Sequence, residues 1–516
     1  HRKWFGNHDI VINWENDGYE IKHLKKSVVR NPTYYFKPSI SWSLLGSSLG
    51  SAFRFNPDAA VFDVNGMSLF ANQEQDELYI LGFLNSNTCR LISSIINPTM
   101  ALQCGDVSKL PFVESKEKEN VKLLVETNIS ISKQDWDAHE TSWDFTTSPI
   151  LEGKNISLNL TDDDMQQIGD LEECKNTEKC HFLSSCVNTY KQKWSKLFYQ
   201  LHSNEETLNE KFIHIYGLED ELTPDVPLDE VTILQQGEIS IEKEKTEYGS
   251  KEDEKIIWHE DVIIKQFISY LVGCFMGRYS VNKPGLIIAN QHQDLSSLNL
   301  QVDGIENSPR STLSIDDDGI VPIIQEPDFF ADDMTERIQL AIKTLFGEEQ
   351  YYENMKYIEQ TIGKPLRDYL YKDYYADHQQ MYSVKGAKRP IYWLFSSRMG
   401  DKHKKGYFKA LVYMHRMEAD TLSKLHAEYV HPYINKVEQQ LREAEEETLR
   451  DDLTQAQRNR ALKLVNELKE KVKEVKEFEQ ELVEMASHRL TIDLDDGVKV
   501  NYPKFYPLVE PIKGLE

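Results

Sequence analysis

Two groups of residues have the side-chain types that bind zinc. Cys174, Cys180, His181 and Cys186 lie within one short stretch, but separations of six residues do not match the CxxC pairs that surround a tetrahedral ion. His426 and His431 are five residues apart, so on an α-helix they diverge by about 140°. An HExxH zinc helix instead needs a separation of four. We therefore interpret the cysteines as structural thiols and assign no metal ligand.

The acidic run Asp316-Asp317-Asp318-Gly319 has the residue types of a calcium loop. Such a loop alternates its ligands around a central glycine and closes with a bidentate glutamate, and that spacing is absent here. The run is interpreted as a surface turn or a helix cap.

The tetrapeptide Asn31-Pro32-Thr33-Tyr34 resembles the Asn-Pro-Pro-Tyr box of amino-methyltransferases. In that box the Asn holds the target amine and the aromatic ring stacks on a flipped-out base. Such an enzyme also needs a glycine-rich loop well upstream for S-adenosylmethionine, and only 30 residues precede Asn31. The tetrapeptide is interpreted as a loop, and no catalytic or cofactor-binding residue is assigned to this chain.

The segment from Tyr382 to Tyr413 is strongly basic. It carries one acid, Asp401, against eight basic side chains, for a local excess of 8 − 1 = +7: Lys385, Lys388, Arg389, Arg398, Lys402, Lys404, Lys405 and Lys409. Its cations could neutralise phosphates while the interleaved aromatic rings anchor the surface by packing. The alternative is a solvated loop flanked by core aromatics. The rings are Tyr392, Trp393, Phe395, Tyr407 and Phe408.

The composition limits where such a site can be. With 85 acidic and 59 basic side chains the net charge is −26, so any contact with a polyanion must be local. Six cysteines in 516 residues suggest reduced thiols and a cytoplasmic location. The most apolar stretch, Val262 to Met276, is broken by Lys265 and Gln266 and predicts a buried helix, so no membrane association is expected. The opening run HRKWFGNHDIVINWE suggests a chain cut from something larger.

The candidate residues must be positioned by helices and strands, and the sequence patterns predict an α+β fold of several domains. Residues 1–112 are predicted to be mostly strands, with one helix over LYILGFLNSNTCRLISSIIN. Residues 113–255 form a helical spacer, with a helix from Thr189 to Tyr216 and a charged loop or linker, GEISIEKEKTEYGSKEDEK.

The second half is predicted to be mainly helical. Residues 256–414 form a helical or mixed domain that contains the basic segment, with helices from Asp261 to Tyr279 and in the region Phe329 to Tyr375. In residues 415–490 apolar residues recur at spacings of three and four, and the helical pattern is interrupted at 451–454. This pattern predicts an antiparallel coiled-coil hairpin. Residues 491–516 are an extended tail that lies back on the body.

Passages along the whole chain resemble the carboxy-terminal part of BREX PglX-type adenine-specific DNA methyltransferases, namely a target recognition domain and the helical regions after it. The first part of the resemblance consists of RKWFGNHDIVINWENDGYEIK, YYFKPSISWSLL, FDVNGMSLF and LGFLNSNTCRLISSIINPTMALQCGDVSKLPF. The second consists of NEETLNEKFIHIYGLEDELTP, ISYLVGCFMGRYS, KRPIYWLFSS, GYFKALVYMHR and IDLDDGVKVNY. The family's amino-terminal catalytic domain has no counterpart among them.

The resemblance implies that residues 1–112 read double-stranded DNA for a site-specific adenine-N6 methyltransferase of a phage-defence system. S-adenosylmethionine is implied for the full-length family enzyme and not for this chain, and other BREX proteins are the implied protein partners. The acidic excess leaves phage-encoded inhibitors open as further partners. We expect base contacts from Ser39, Ser41, Trp42, Ser43 and Arg54. We expect phosphate contacts from Lys37, Lys385, Lys388, Arg389, Arg398, Lys402, Lys404 and Lys405.

Two other functions remain open from the sequence. One is a protein-interaction scaffold of the defence complex, in which the acidic surface and the hairpin hold other proteins. The other is the recognition part of a type II restriction-modification enzyme.

Overall fold

A computed structural model of the chain describes residues 2–46, 52–57, 60–152, 182–245, 252–291, 313–384 and 386–515. Helices dominate, and the strands form small antiparallel sheets, which confirms the predicted α+β class. The chain divides into two compact units. Unit 1 comprises residues 1–145, 155–178 and 186–263, and unit 2 comprises residues 146–154, 179–185 and 264–516.

The α-helices, in chain order, are α1 (Glu15–His23), α2 (Glu77–Leu84), α3 (Asn87–Ile96), α4 (Cys104–Val107), α5 (Lys118–Asp137), α6 (Pro149–Glu152), α7 (Leu183–Tyr216), α8 (Glu260–Met276), α9 (Met334–Phe346), α10 (Tyr351–Ile362), α11 (Leu366–Lys372), α12 (Tyr374–Met381), α13 (Thr421–Lys424), α14 (His431–Thr448), α15 (Gln455–Ser487) and α16 (Gly497–Asn501). The strands are β1 (Ser39–Ser43), β2 (Phe53–Asn56), β3 (Gly66–Leu69), β4 (Ile239–Lys245), β5 (Glu252–Trp258), β6 (Ile320–Pro322), β7 (Ser383–Val384), β8 (Ala387–Lys388), β9 (Tyr392–Ser396) and β10 (Lys409–Tyr413).

The first 112 residues are less rich in strands than the sequence predicts. Their described part holds one three-stranded sheet in the order β2-β1-β3, and α2 packs on it. Much of residues 7–38 is exposed and irregular, and α1 is interrupted by left-handed backbone at Asn16, Asp17 and Gly18. The expectation of mostly strands is wrong because the aromatic residues here pack as irregular segments and helices as well as in the sheet.

The single helix predicted over residues 78–97 is two helices, α2 and α3. The break lies at Asn85 and Ser86, where the Ser86 side chain caps α3 by accepting a hydrogen bond from Cys89 N. A serine cap satisfies an amide that has no partner within its own helix, so it fixes a new helix start even inside an apolar pattern.

The charged segment 237–255 is not a simple loop, because it forms most of an antiparallel hairpin of β4 and β5 that ends at Trp258. Ile239 pairs with Trp258 and Ile241 with Ile256, so apolar residues lie at one end of the ladder and charged residues at the other. Lys243 forms ion pairs with Asp229 and Glu254. The prediction of a loop or linker is wrong because the high charge of the segment concealed these alternating isoleucines.

Unit 2 contains a second three-stranded sheet in the order β6-β10-β9. The residues after α16 extend it, since Ser396 N donates to Leu508 O and Glu510 N donates to Leu394 O. These contacts confirm that the tail lies back on the body. The prediction of an extended tail is wrong for residues 494–505, which form helical turns. Among the described residues no helix is both long enough and apolar enough to cross a membrane.

Two long helices, α14 and α15, form the predicted hairpin in unit 2. Thr454 caps α15 in a reciprocal capping box with Gln457. Lys469 pairs with Glu445 and Lys476 with Glu438, so the numbering rises on one helix as it falls on the other, which confirms the antiparallel arrangement. A supercoil of the two helices remains a prediction.

Candidate nucleic-acid interface

The sheet of unit 1 has a polar face made by alternate residues of its strands. Ser41 of β1 lies directly between Arg54 of β2 and Ser68 of β3. In a strand, alternate side chains point to the same face, so Ser39 and Ser43 share this face with Ser41. The structure therefore brings four of the five predicted base-reading residues, the three serines and Arg54, onto one face of the sheet.

The opposite face of the sheet belongs to the core. Ile40 is fully buried and Trp42 is 1% exposed, and the Trp42 indole Nε1 donates to Leu102 O at 3.0 Å. On the polar face, Ser39 is also buried, whereas Ser41 and Ser43 are half-buried. A buried indole whose N–H is already bonded offers no edge to a base, and a buried hydroxyl is out of reach. Neither Trp42 nor Ser39 is therefore placed to contact DNA.

Arg54 is the least satisfied polar group on this face. It is 8% exposed, and its Nη1 has no hydrogen-bond partner among the described residues. Burial, and then the positive charge of Arg2, lower the pKa of Arg54. A buried guanidinium nitrogen without an acceptor is costly, and such groups call for an explanation in function or strain.

His8 and Asn56 border Arg54 on the same side of the sheet. The ring Nε2 of His8 lies 2.9 Å from Asn56 Oδ1. Burial lowers the pKa of His8, against the opposing effect of the Asn56 hydrogen bond. The neutral imidazole of His8 therefore adds a polar group beside the Arg54 guanidinium without adding a second positive charge. Sequence reasoning missed both residues, which belong to no motif.

Lys37 lies beside the tetrapeptide that resembles a methyltransferase box. Residues Pro32–Tyr34 form a single 3-10 turn after Asn31, whose backbone is left-handed. Tyr34 is 48% exposed, and the ammonium of Lys37 lies 5.3 Å from the centre of its ring. The tetrapeptide is thus a turn, as expected, and it presents an aromatic ring and an exposed lysine together.

In unit 2 the aromatic residues of the basic segment belong to the core. All five rings are at least nine-tenths buried, and β9 is buried along its whole length. Trp393 Nε1 donates to Pro390 O, which satisfies the indole. The rings therefore fix the strands, and the cations alone are left to form a surface.

The connection between β9 and β10, residues 397–408, is called the basic loop below. It carries Arg398, Lys402, Lys404 and Lys405. The Glu474 carboxylate of α15 accepts hydrogen bonds from the backbone amides of Lys405, Gly406 and Tyr407 at 2.9, 2.9 and 3.0 Å. It also accepts the Ser397 hydroxyl at 2.7 Å. One helical carboxylate thus fixes the backbone of the loop, a role that the sequence did not reveal.

The four cations of the basic loop differ in their exposure to solvent and in their hydrogen-bond and ion-pair partners. Lys402 is exposed, and Lys405 is exposed near the Tyr407 ring. Lys404 forms an ion pair with Glu477 at 2.7 Å, and Arg398 Nε donates to Asp401 O. Surface ion pairs are weak, so Lys404 can exchange its carboxylate for a phosphate at small cost.

The remaining predicted phosphate contacts of unit 2 lie elsewhere. Lys388 and Arg389 precede β9, at the end opposite the basic loop, and Lys388 Nζ donates to Gln379. Five residues of extended chain span about 15 Å, so these two cations and the basic loop are separate patches. Lys385 lies outside the described residues.

Two other groups singled out in the sequence also have positions in the structure. Asp316 Oδ1 accepts the amides of Asp318 and Gly319, which confirms a turn before β6. Burial, and then the neighbouring Asp316 carboxyl, raise the pKa of Asp318 to about 7. Cys186 is buried in α7, while Cys174, Cys180 and His181 lie outside the described residues.

The described residues do not fit an S-adenosylmethionine site of the kind that methyltransferases with a doubly wound sheet possess. Such a site follows a parallel strand with a glycine-rich turn and a helix. Every pair of strands within the described ranges is antiparallel, and the one parallel contact is an isolated bridge between Trp4 and Arg54. No step of methyl transfer is therefore derived from these side chains.

Comparison with curated proteins finds similarity along the whole chain. It is 33% identical over 535 aligned residues to the adenine-specific methyltransferase BrxX of Escherichia coli O9:H4 (strain HS), covering 100% of this chain and 39% of that protein. It is 31% identical over 524 residues to the adenine-specific methyltransferase PglX of Lacticaseibacillus casei (strain Zhang), covering 98% of this chain and 38% of that protein. The chain thus spans about two fifths of the length of these relatives. No protein-family model matches it.

Proposed function

We propose that this chain is the carboxy-terminal DNA-recognition part of an adenine-N6 DNA methyltransferase of a BREX defence system. The observation that carries the proposal is similarity along the whole chain to two adenine-specific methyltransferases, each more than twice its length. Methyl transfer and S-adenosylmethionine binding belong to a domain outside these 516 residues. Duplex DNA and other BREX proteins are the partners.

Unit 1 supplies the sequence-reading contacts in this proposal. Ser41 and Ser43 present hydroxyls at the polar face of the sheet. Arg54 has a guanidinium nitrogen without an acceptor, and because this side chain is buried it must turn outward to reach a base. Arginine donates in a bidentate manner to guanine O6 and N7, and serine bonds to any base edge. Lys37, exposed beside Tyr34, contacts the neighbouring phosphate.

The basic loop supplies the phosphate contacts of unit 2. Glu474 fixes the backbone of this loop at residues 405–407, next to Lys404 and Lys405, in the absence of DNA. Lys402 lies on the same short loop. Preorganised cations lose little conformational entropy on binding. Lys388 and Arg389 contact phosphates further along the duplex, and Lys385, outside the described residues, is proposed as a phosphate contact from the sequence alone. A net charge of −26 makes such local patches necessary, because the rest of the surface repels DNA.

Replacing Lys402, Lys404 and Lys405 together with alanine should weaken binding to every duplex sequence. Each neutralised phosphate contributes about 0.9 to the slope of log affinity against log salt, so the slope should shrink by about 2–3. The measurement is fluorescence anisotropy with a labelled duplex at several salt concentrations.

The matched control removes the same charge from helices of unit 2. Lys356 on α10 and Lys372 on α11 are exposed, and Lys364, between these two helices, is partly exposed. Their triple alanine variant should keep the parental slope to within about one half-unit. An equal loss in both variants would show that only net charge matters and would remove the basic loop from the interface.

A further inference from the structure

A π-helical turn in unit 2 brings together two histidines that an α-helix would separate. Residues Leu425–Val430 are π-helical between α13 and α14, and His426 and His431 lie at its two ends. In a π-helix each amide bonds to the carbonyl five residues back, so residues i and i+5 lie about one turn apart on one side. The expectation from the sequence that the two rings diverge is therefore wrong.

Pro432 accounts for this local change of helix type. It is the second residue of α14, inside a run of helical backbone that begins at Thr421. A proline within a helix has no N–H to bond four residues back, and its ring collides with that carbonyl. Widening the preceding turn relieves the collision. The sequence HAEYVHP therefore contained a signal that the α-helical spacing fails here.

The two rings meet one carboxylate from the other helix of the hairpin. His426 Nε2 lies 3.0 Å and His431 Nδ1 lies 3.1 Å from the same oxygen of Glu479, Oε1. The three candidate ligand atoms all lie within 4.8 Å of one another. The side chains of His426, His431 and Glu479 are 31%, 56% and 21% exposed, so an ion can reach them from solvent.

We propose that His426, His431 and Glu479 form a zinc site that joins the π-helical turn to α15. Two imidazoles and one carboxylate are a common protein ligand set for zinc, with a water in the fourth position. Ligand atoms about 2.1 Å from a tetrahedral ion are about 3.4 Å apart, close to the two observed oxygen–nitrogen separations. The pair of nitrogens needs to approach by at most about 1.5 Å, within reach of small side-chain rotations.

The π-helical turn is a second reason for this assignment. Single π turns inside α-helices are frequent at functional sites, and the wider turn is less stable than the α-helix that it replaces. Bound zinc would offset that cost by holding the turn against α15. The site is independent of the DNA-recognition proposal, since none of its three ligands is assigned there.

The test uses the full chain without a histidine tag, stripped with EDTA and then dialysed against zinc chloride. Bound zinc is counted by atomic emission in the parent chain, in His431→Ala and in Glu479→Gln. The parent should hold one zinc more per chain than either variant. The site's affinity should fall at least about 100-fold in each, because loss of an outer-shell partner alone costs 10–100-fold. His488→Ala, an exposed histidine just after α15, is the control and should keep the parental zinc content.

Two readouts separate this site from other ligands in the chain. Cobalt(II) bound here should show the visible bands of a tetrahedral ion, and these should be lost in His431→Ala. A large excess of magnesium should not displace the ion, because magnesium prefers oxygen ligands in octahedral geometry. Equal zinc content in the parent and His431→Ala, or displacement by magnesium, would overturn the proposal. His431 is more than half exposed, so its replacement leaves the fold intact.

Discussion

Replacing Glu474 with alanine is expected to release the basic loop and to destabilise unit 2 by several kcal/mol, about 1–3 kcal/mol for each buried donor that is left without an acceptor. The carboxylate is 7% exposed and accepts three consecutive backbone amides and the Ser397 hydroxyl. Without it, those donors must find water or remain unpaired. Hydrogen exchange followed by mass spectrometry should show the amides of residues 405–407 exchanging about 100-fold faster or more.

The control for this variant is Glu477→Ala, three residues along the same helix. Glu477 is 41% exposed and pairs with Lys404 at the surface, so its loss should cost less than about 1 kcal/mol. Glu474→Gln should fall between the two, because one acceptor oxygen remains. Similar exchange at residues 405–407 in Glu474→Ala and Glu477→Ala would contradict the role given to Glu474. DNA affinity should fall in Glu474→Ala as well, because the loop lysines are no longer held in place.

Replacing Asp135 with alanine is expected to cost unit 1 about 3–5 kcal/mol, because it leaves the buried Arg2 without its counter-ion. Asp135 is fully buried, accepts Arg2 Nη2 at 2.7 Å and accepts the amide of Leu234 at 2.9 Å. Arg2 precedes Trp4, whose backbone pairs with β2 on both sides of Arg54. The expected consequence is a lower unfolding temperature of unit 1 in calorimetry and faster exchange of the Phe55 amide.

A second substitution separates the buried charge from other effects. Adding Arg2→Met to Asp135→Ala should recover part of the lost stability, since the unpaired guanidinium is then gone. Asp144→Ala is the surface control, because Asp144 is 70% exposed in its pair with Lys133. It should change stability by less than about 1 kcal/mol. No recovery in the double variant would mean that the Leu234 hydrogen bond, and not the ion pair, dominates.

Local patterns were sufficient to predict several elements from the sequence. The aromatic and β-branched residues around Ser39–Ser43 predict strands, and β1 and β2 form there. The break near residues 451–454 is where the hairpin turns, because Thr454 and Gln457 cap α15. Periodicity and capping act over a few residues, so one chain is enough to read them.

Contacts between distant residues could not be predicted in the same way. Glu474 is one of many glutamates on α15, and nothing around it in the sequence indicates that it binds a loop about seventy residues away. Burial of the aromatic rings of the basic segment was one of two readings of the same composition. Which interpretation is correct depends on tertiary packing, and the hydrophobic pattern alone does not determine it.

The measurement that tests the DNA-recognition proposal most directly is selection of duplexes by the purified chain from a random pool at several salt concentrations, with sequencing of the retained fraction. The proposal predicts retention that weakens as salt rises and enrichment of one short motif, because cations contact phosphates while Ser41, Ser43 and Arg54 read bases. Retention without a motif would contradict base reading by unit 1. No retention even at low salt would contradict DNA recognition by this chain and would favour a protein-interaction scaffold.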